Sequence, residues 1–195
     1  MITREFLEQS LAGHVPEQLD VHVQGITHAA VALIVRETPS GLQLLFIKRA
    51  ANENDPWSGN ISFPGGKVEN GDGDPRATAE RETWEEVGID LGKAHYLGRL
   101  SDIASVRIAV HVSCFIYQME EVAPLRLMQE EVQDAFWVSL SDLTDPSRHG
   151  EKRVRFDGQT MIRPGITLPY PGNPALWGLT YLLVMELITL LKLGR

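Results

Sequence analysis

Between residues 65 and 89 the chain runs GGKVENGDGDPRATAERETWEEVGI. Asp74 suits an N-cap and Pro75 the first helical position. No breaker follows from Arg76 to Val87, and Gly88 stands where helices commonly end, so the spacing predicts a helix over 76–87. On that helix Glu82, Glu85 and Glu86 fall at i, i+3 and i+4, which puts three carboxylates on one face. Like charges at that spacing repel, so helix stability does not favour the arrangement. A hard divalent cation with oxygen ligands would relieve the repulsion, and Arg76 and Arg81 would neutralise part of it. The competing reading is a solvated acidic face, since charge runs are common. The preceding loop, Val68 to Asp74, is rich in Gly, Asp and Asn, and it follows the strand Ile61-Ser62-Phe63 and the turn Pro64-Gly65-Gly66. Glycines let a backbone approach a metal or a phosphate closely. A glycine turn, an acidic loop and a triply carboxylated helix in series are hard to explain as surface decoration.

Outward from this segment, Thr3 to Ala12 reads as a short amphipathic helix with Phe6, Leu7 and Leu11 on one face. His28 to Val35 is small and β-branched, a buried strand, and the turn Thr38–Gly41 joins it to a second strand, Leu42 to Ile47. Ala51 to Gly59 is a polar loop. Further strands are expected near 96–101, 110–117 and 135–138, and Asp157-Gly158 predicts a hairpin between 154–156 and 160–162. Leu176 to Leu191 reads as a largely buried last helix. Mostly antiparallel strands with a few long helices point to an α/β fold, a mixed sheet packed between helices.

With 195 residues, one domain spanning 1–195 is expected, and 43% hydrophobic residues suit a folded core that needs no disulfide. The net charge of −8 excludes sequence-independent nucleic-acid binding, which needs a basic face. It does not exclude a phosphate substrate, because divalent ions can sit between carboxylates and phosphates. The one cysteine, Cys114, lies in an apolar stretch and reads as a core thiol in a reducing compartment. The N-terminus has no signal-peptide pattern, and the most apolar stretch, 176–193, carries Glu186 and Lys192. The expectation is a cytoplasmic protein with no membrane span.

The segment resembles the Nudix box, G-x5-E-x7-R-E-U-x-E-E-x-G-U with U apolar. Arg81 to Ile89 matches its second half, with Thr83 at an apolar position. Counting from Gly66, the first acidic position holds Asp72 rather than Glu, and one extra residue precedes Arg81; Glu69 is the alternative for that position. The resemblance implies a Nudix α/β/α sandwich and metal-dependent hydrolysis of a diphosphate bond in a nucleoside-diphosphate derivative. It implies Mg2+ or Mn2+ held by Glu82, Glu85, Glu86 and the Gly66 carbonyl, with Glu82 also a candidate general base and Arg81 orienting the glutamates. Leu44 to Ala50, Gly59 and Phe63-Pro64-Gly65-Gly66 resemble a second motif, that of coenzyme A pyrophosphatase-like members, in which Asn54 replaces an arginine; Leu176 to Thr180 resembles their C-terminal ends. Coenzyme A or its thioesters then stand beside ADP-ribose, nucleotide sugars and dinucleoside polyphosphates as substrates. A non-catalytic nucleotide-binding Nudix-like domain is the reading from another class, and the three intact carboxylates speak against it.

Around the box, Arg49 and Lys67 are candidate phosphate contacts. Trp57 reads as a loop anchor rather than a base-stacking platform, and Trp137 as core. Glu130 and Glu131 read as a solvated pair, and His28 and His111 as satisfied structural histidines. The expected partner is a small nucleoside-diphosphate substrate, with no nucleic acid and no membrane; a homodimer is the oligomer to test for.

Overall fold

A computed structural model describes residues 2–19, 25–52, 57–105, 108–121 and 123–193. Asn54, at the missing-arginine position of the second motif, falls outside them. In chain order the elements are α1 (Arg4–Ala12), β1 (Thr27–Thr38), β2 (Gly41–Arg49), β3 (Ile61–Ser62), β4 (Gly65–Lys67), α2 (Pro75–Val87), β5 (His95–Arg99), β6 (Ile103–Ser105), β7 (Val110–Met119), β8 (Val132–Ser139), α3 (Leu140–Thr144), β9 (His149–Phe156), β10 (Gln159–Thr167), β11 (Ala175–Trp177) and α4 (Gly178–Leu193).

The main sheet is mixed, as expected, but its centre is parallel. β1 and β7 run side by side in the same direction from Thr27↔Val110 to Arg36↔Met119. β2 and β4 share the other edge of β1, pairing with its C-terminal and N-terminal parts respectively. β3 and β8 extend the sheet from β2, while β5 and β6 extend it from β7. A second sheet is built of β11, β10 and β9 in that order, antiparallel throughout.

β1 is buried on both faces, the usual reason for a continuous apolar strand. Leu33 and Val35 belong to a core shared with α1, α4 and the second sheet through Leu7, Ile166, Leu187 and Ile188. Ala30, Ala32 and Ile34 belong to a separate core beneath α2, with Ala79, Val87 and Phe115. The result is the expected α/β/α layering. Cys114 is fully buried, and burial pushes its thiol up.

Two elements differ from expectation. The turn at Gly65-Gly66 is a short strand, β4, because its backbone pairs with Ala30 and Val31. The last helix starts at Gly178 rather than Leu176. Leu176 pairs with Ile166 in the second sheet, and Gly178, at φ 68, makes the strand-to-helix corner in the left-handed region that favours glycine. Trp137 is half-buried: it packs against the second core while the Arg36 guanidinium lies 4.3 Å over its ring. Among the described residues no helix is long and apolar enough to cross a membrane.

Candidate active site

The site is assembled where α2 crosses β4. The Asp74 side chain caps the helix through the Ala77 amide at 2.8 Å, and Gly88, at φ 73, ends it with its N–H on the Trp84 carbonyl at 3.0 Å. These stops fix the register of α2, and the register aims Glu82 and Glu86 at the glycine strand. The Gly65 N–H donates to Glu86 Oε2 at 2.9 Å. A Cβ on Gly65 would lie 2.2 Å from the Ala30 carbonyl, and one on Gly66 would lie 2.4 Å from the Glu82 carboxyl. Both glycines are therefore required by close approach, the first to backbone and the second to a carboxylate.

The three box glutamates occupy different environments. Glu86 is 1% exposed, and burial raises its pKa to about 8 against the opposing pull of the Gly65 amide and Arg49. The Glu82 side chain is 13% exposed, and burial again raises its pKa while Arg81 counteracts. Glu85, at 43% exposure, lies at the solvent rim. Arg81 spans them, donating to Glu82 at 3.0 Å and Glu85 at 3.1 Å.

Arg81 is itself held by Asp72, through Nε at 2.9 Å and Nη2 at 3.1 Å. Asp72 also accepts from the Thr78 hydroxyl at 2.8 Å and the Glu69 amide at 2.9 Å. Those donors, the Arg81 hydrogen bond first, hold the Asp72 carboxyl well below the usual carboxylate range. Of the two alternatives for the acidic loop position, Asp72 is the one in contact with Arg81.

Glu131 is exposed, as a solvated residue would be, but its segment is docked against the site. The chain before it is tied to the end of α2, with the Met128 N–H on the Glu86 carbonyl at 3.0 Å, and the Ala50 N–H donates to the Glu131 carbonyl at 2.7 Å.

Arg49, Lys67, Gly65 and Gly66 line a cleft of about 540 Å3 that runs between the main sheet and α4. Trp57 and Trp177 form part of its wall, with ring centroids 5.9 Å apart, and Trp57 packs on Phe156 at 4.5 Å. Trp57 thus anchors its loop and faces the cleft.

The family model described as the NUDIX domain matches residues 26–157. This chain belongs to the Nudix family. An uncharacterised protein of Schizosaccharomyces pombe is 34% identical over 127 residues, 62% of this chain but only 38% of that protein's length. NudL of Yersinia pestis, described as an uncharacterised Nudix hydrolase, is 29% identical over 157 residues, 80% of this chain and 75% of its own. Among solved structures, a MutT/nudix family protein from Enterococcus faecalis superposes with a TM-score of 0.53 at 17% identity, covering 98% of this chain and 68% of that one. The NUDIX domain of Shewanella oneidensis NrtR, complexed with ADP ribose, gives 0.50 at 19% identity over 69% of this chain and 84% of that one. At such identities the likeness establishes the fold alone.

The Nudix donor set can be tested against a cation. Among the described residues no three acidic, histidine or cysteine side chains converge tightly enough to enclose an ion as they stand, and Glu82 and Glu85 are hydrogen-bonded to Arg81. The donors are nevertheless carboxylate and carbonyl oxygens, the type hard divalent ions take. Glu86 is a buried carboxylate beside two others, an arrangement that is costly without a positive partner. The residues fit a hard divalent ion.

The two histidines partner each other, in keeping with a structural role. Exposed His28 and buried His111 meet Nδ1 to Nδ1 at 3.1 Å, and Asp102 lies 3.2 Å from the far nitrogen of His111. This pair sits at the end of β1 and β7, outside the carboxylate cluster.

Proposed function

We propose that this Nudix chain hydrolyses a diphosphate bond in a nucleoside-diphosphate derivative with Mg2+ or Mn2+, and that residues 1–195 act as one unit. The observation that carries the reading is the packing of Glu82 and Glu86 against Gly65 and Gly66 at the mouth of the 540 Å3 cleft. Leu179, Thr180 and Leu183 of α4 line that cleft too, which supports including the C-terminal helix in the functional unit.

Glu82, Glu85, Glu86 and the Gly66 carbonyl would hold the cation. A divalent ion there supplies Lewis acidity toward a phosphate oxygen and lowers the pKa of water. Arg81, clamped by Asp72, orients Glu82 and Glu85 and limits their mutual repulsion. Glu82, partly buried and with a raised pKa, is suited to take the proton from the attacking water. Arg49 at the end of β2 and Lys67 at the end of β4 line the cleft and would neutralise phosphate oxygens. The apolar and aromatic remainder of the cleft excludes water from the anhydride and receives the organic part of the substrate. Coenzyme A or its thioesters is the class favoured by the residues around Arg49 and by Trp177-Gly178.

The test is a substrate panel of coenzyme A, ADP-ribose, a nucleotide sugar, a dinucleoside polyphosphate and a nucleoside triphosphate, each with Mg2+ or Mn2+. Turnover on a diphosphate derivative that a chelator abolishes is expected. Cleavage unaffected by chelation, or none on any member, overturns the reading. Much faster cleavage of ADP-ribose or nucleotide sugars rejects coenzyme A and leaves the hydrolase assignment standing.

A further inference from the structure

Residues 125–128 belong to no helix or strand, yet they lie as a strap across the C-terminal end of α2. The Arg126 N–H donates to the Val87 carbonyl and the Met128 N–H to the Glu86 carbonyl, each at 3.0 Å. Two of the carbonyls that a helix leaves open at its end are thus closed by another segment. Leu125 and Leu127 pack against the core beneath α2. Arg126, between them, is exposed, and its guanidinium lies 5.1 Å from the centre of the Trp84 ring, within cation–π range. Trp84 is 49% exposed, so the guanidinium covers part of an indole that α2 turns to solvent. The packing is close: a Cβ on Gly88 would lie 3.1 Å from that of Arg126.

The last turn of α2 needs such support. It carries Glu85 and Glu86 and no basic residue. The carbonyl end of a helix is negative, so two carboxylates there oppose the macrodipole and favour fraying. The strap brings two N–H groups and one guanidinium to that end. Glu86 is thereby held twice, its side chain by the Gly65 N–H and its carbonyl by the Met128 N–H. The strap then turns into β8, with the Glu131 and Val132 N–H groups on the Met128 carbonyl, and the Ala50 N–H on the Glu131 carbonyl ties it beside Arg49. One segment therefore links the carboxylate helix to the strand of a candidate phosphate contact.

We propose that Arg126 is a positioning residue. Clasped on Trp84, it holds the strap closed and keeps the last turn of α2 wound, with Glu85 and Glu86 in register for the divalent cation. The inference rests on the hydrolase reading for the place of that cation. Removing a positive charge from the end of α2 would, on charge alone, tighten cation binding, whereas loss of positioning weakens it, so the two effects differ in sign. The probe is Mn2+ alone, titrated calorimetrically into metal-free protein. Arg126→Gln should bind it about fivefold more weakly, the scale of an exposed cation–π contact together with a charge at a helix end. Arg126→Lys, which keeps a cation over the ring, should come within about twofold of wild type. Trp84→Ala should match Arg126→Gln, and the double variant should lose no more than either, because both act through one contact. In metal-free Arg126→Gln, hydrogen exchange at amides 85–88 should quicken while the melting temperature holds. The Mg2+ concentration for half-maximal turnover should rise about fivefold, with turnover recovering at higher Mg2+. Equal or tighter Mn2+ binding by Arg126→Gln, or losses that multiply in the double variant, overturns the proposal and leaves the hydrolase reading standing. No Mn2+ binding by wild type overturns both.

Discussion

The two faces of β1 border interiors of opposite character. Toward α4 the packed residues are hydrocarbon, with Leu33, Val35, Leu183, Leu187 and Ile188 all buried. Toward α2 the core contains Ala30, Ala32 and Ala79, but the helix also buries Thr78, Thr83 and Glu86, and the Thr83 hydroxyl has no partner among the described residues. Burying hydrocarbon stabilises at about 25 cal/mol per Å2, whereas burying a carboxylate costs free energy unless it is paired. One face of the strand therefore contributes stability, and the other uses part of it to hold charge in place.

The sharpest way to break that comparison is a pair of substitutions. Glu86→Gln keeps size and helix propensity and replaces a buried carboxyl, already pushed toward its neutral form, with an amide that is a poorer ligand for a hard cation. Turnover should fall about a hundredfold or more while metal-free thermal stability stays level or rises. Leu187→Ala, on the other face at 1% exposure, should lower stability by about 2–5 kcal/mol with turnover per folded molecule unchanged. Normal turnover in Glu86→Gln at saturating Mg2+ would remove α2 as the catalytic element.

Adjacent glycines sharpen the contrast at the scale of one residue. Alanine at 65 meets the Ala30 backbone and requires φ 147, so Gly65→Ala should reduce folded yield and melting temperature. Alanine at 66 meets only the movable end of Glu82. Gly66→Ala should therefore fold normally yet lose activity roughly ten- to a hundredfold by displacing a carboxylate. Equal melting temperatures for the two variants would contradict the geometry.

Asp72→Asn tests the clamp on Arg81 and should cost about tenfold in turnover, as loss of an orienting partner commonly does. It also has a pH signature. The folded carboxyl is depressed, so its contribution is present above the unfolded value near 3.9 and is lost as pH falls through the lower folded value. The stability gap between wild type and Asp72→Asn should shrink on acidification below about pH 4 in melts across that range. A constant gap would mean the carboxylate charge is not what holds Arg81. The smallest effect is expected from Glu69→Gln, whose exposed side chain serves as control; activity and stability should both stay within error. Glu80 is unsuitable for that purpose, because it accepts from the Tyr117 hydroxyl at 2.8 Å and pairs with Arg76.

The helix, its caps and the face shared by Glu82, Glu85 and Glu86 were legible because all three depend on spacing within a dozen residues. β4 was not, since three residues of glycine and lysine carry no strand pattern and become one only by pairing with β1. The start of α4 was misplaced for a similar reason: Leu176 and Trp177 suit either state, and pairing with β10 decides. Trp137 packs on the core as its alternation suggests, but alternation could not say how fully that side is covered.

By itself, then, the sequence determined what local chemistry determines: the capped helix, the carboxylate face, the glycines before it and the apolar strands. The tertiary structure decided which carboxylate is buried and which lies at the rim, and that Asp72 rather than Glu69 holds Arg81. It also decided that residues as distant in sequence as Arg49, Asn60 and Trp177 line one cleft. Burial, charge coupling and shared walls depend on distances across the fold, and those are set by sheet register and helix docking rather than by any spacing along the chain.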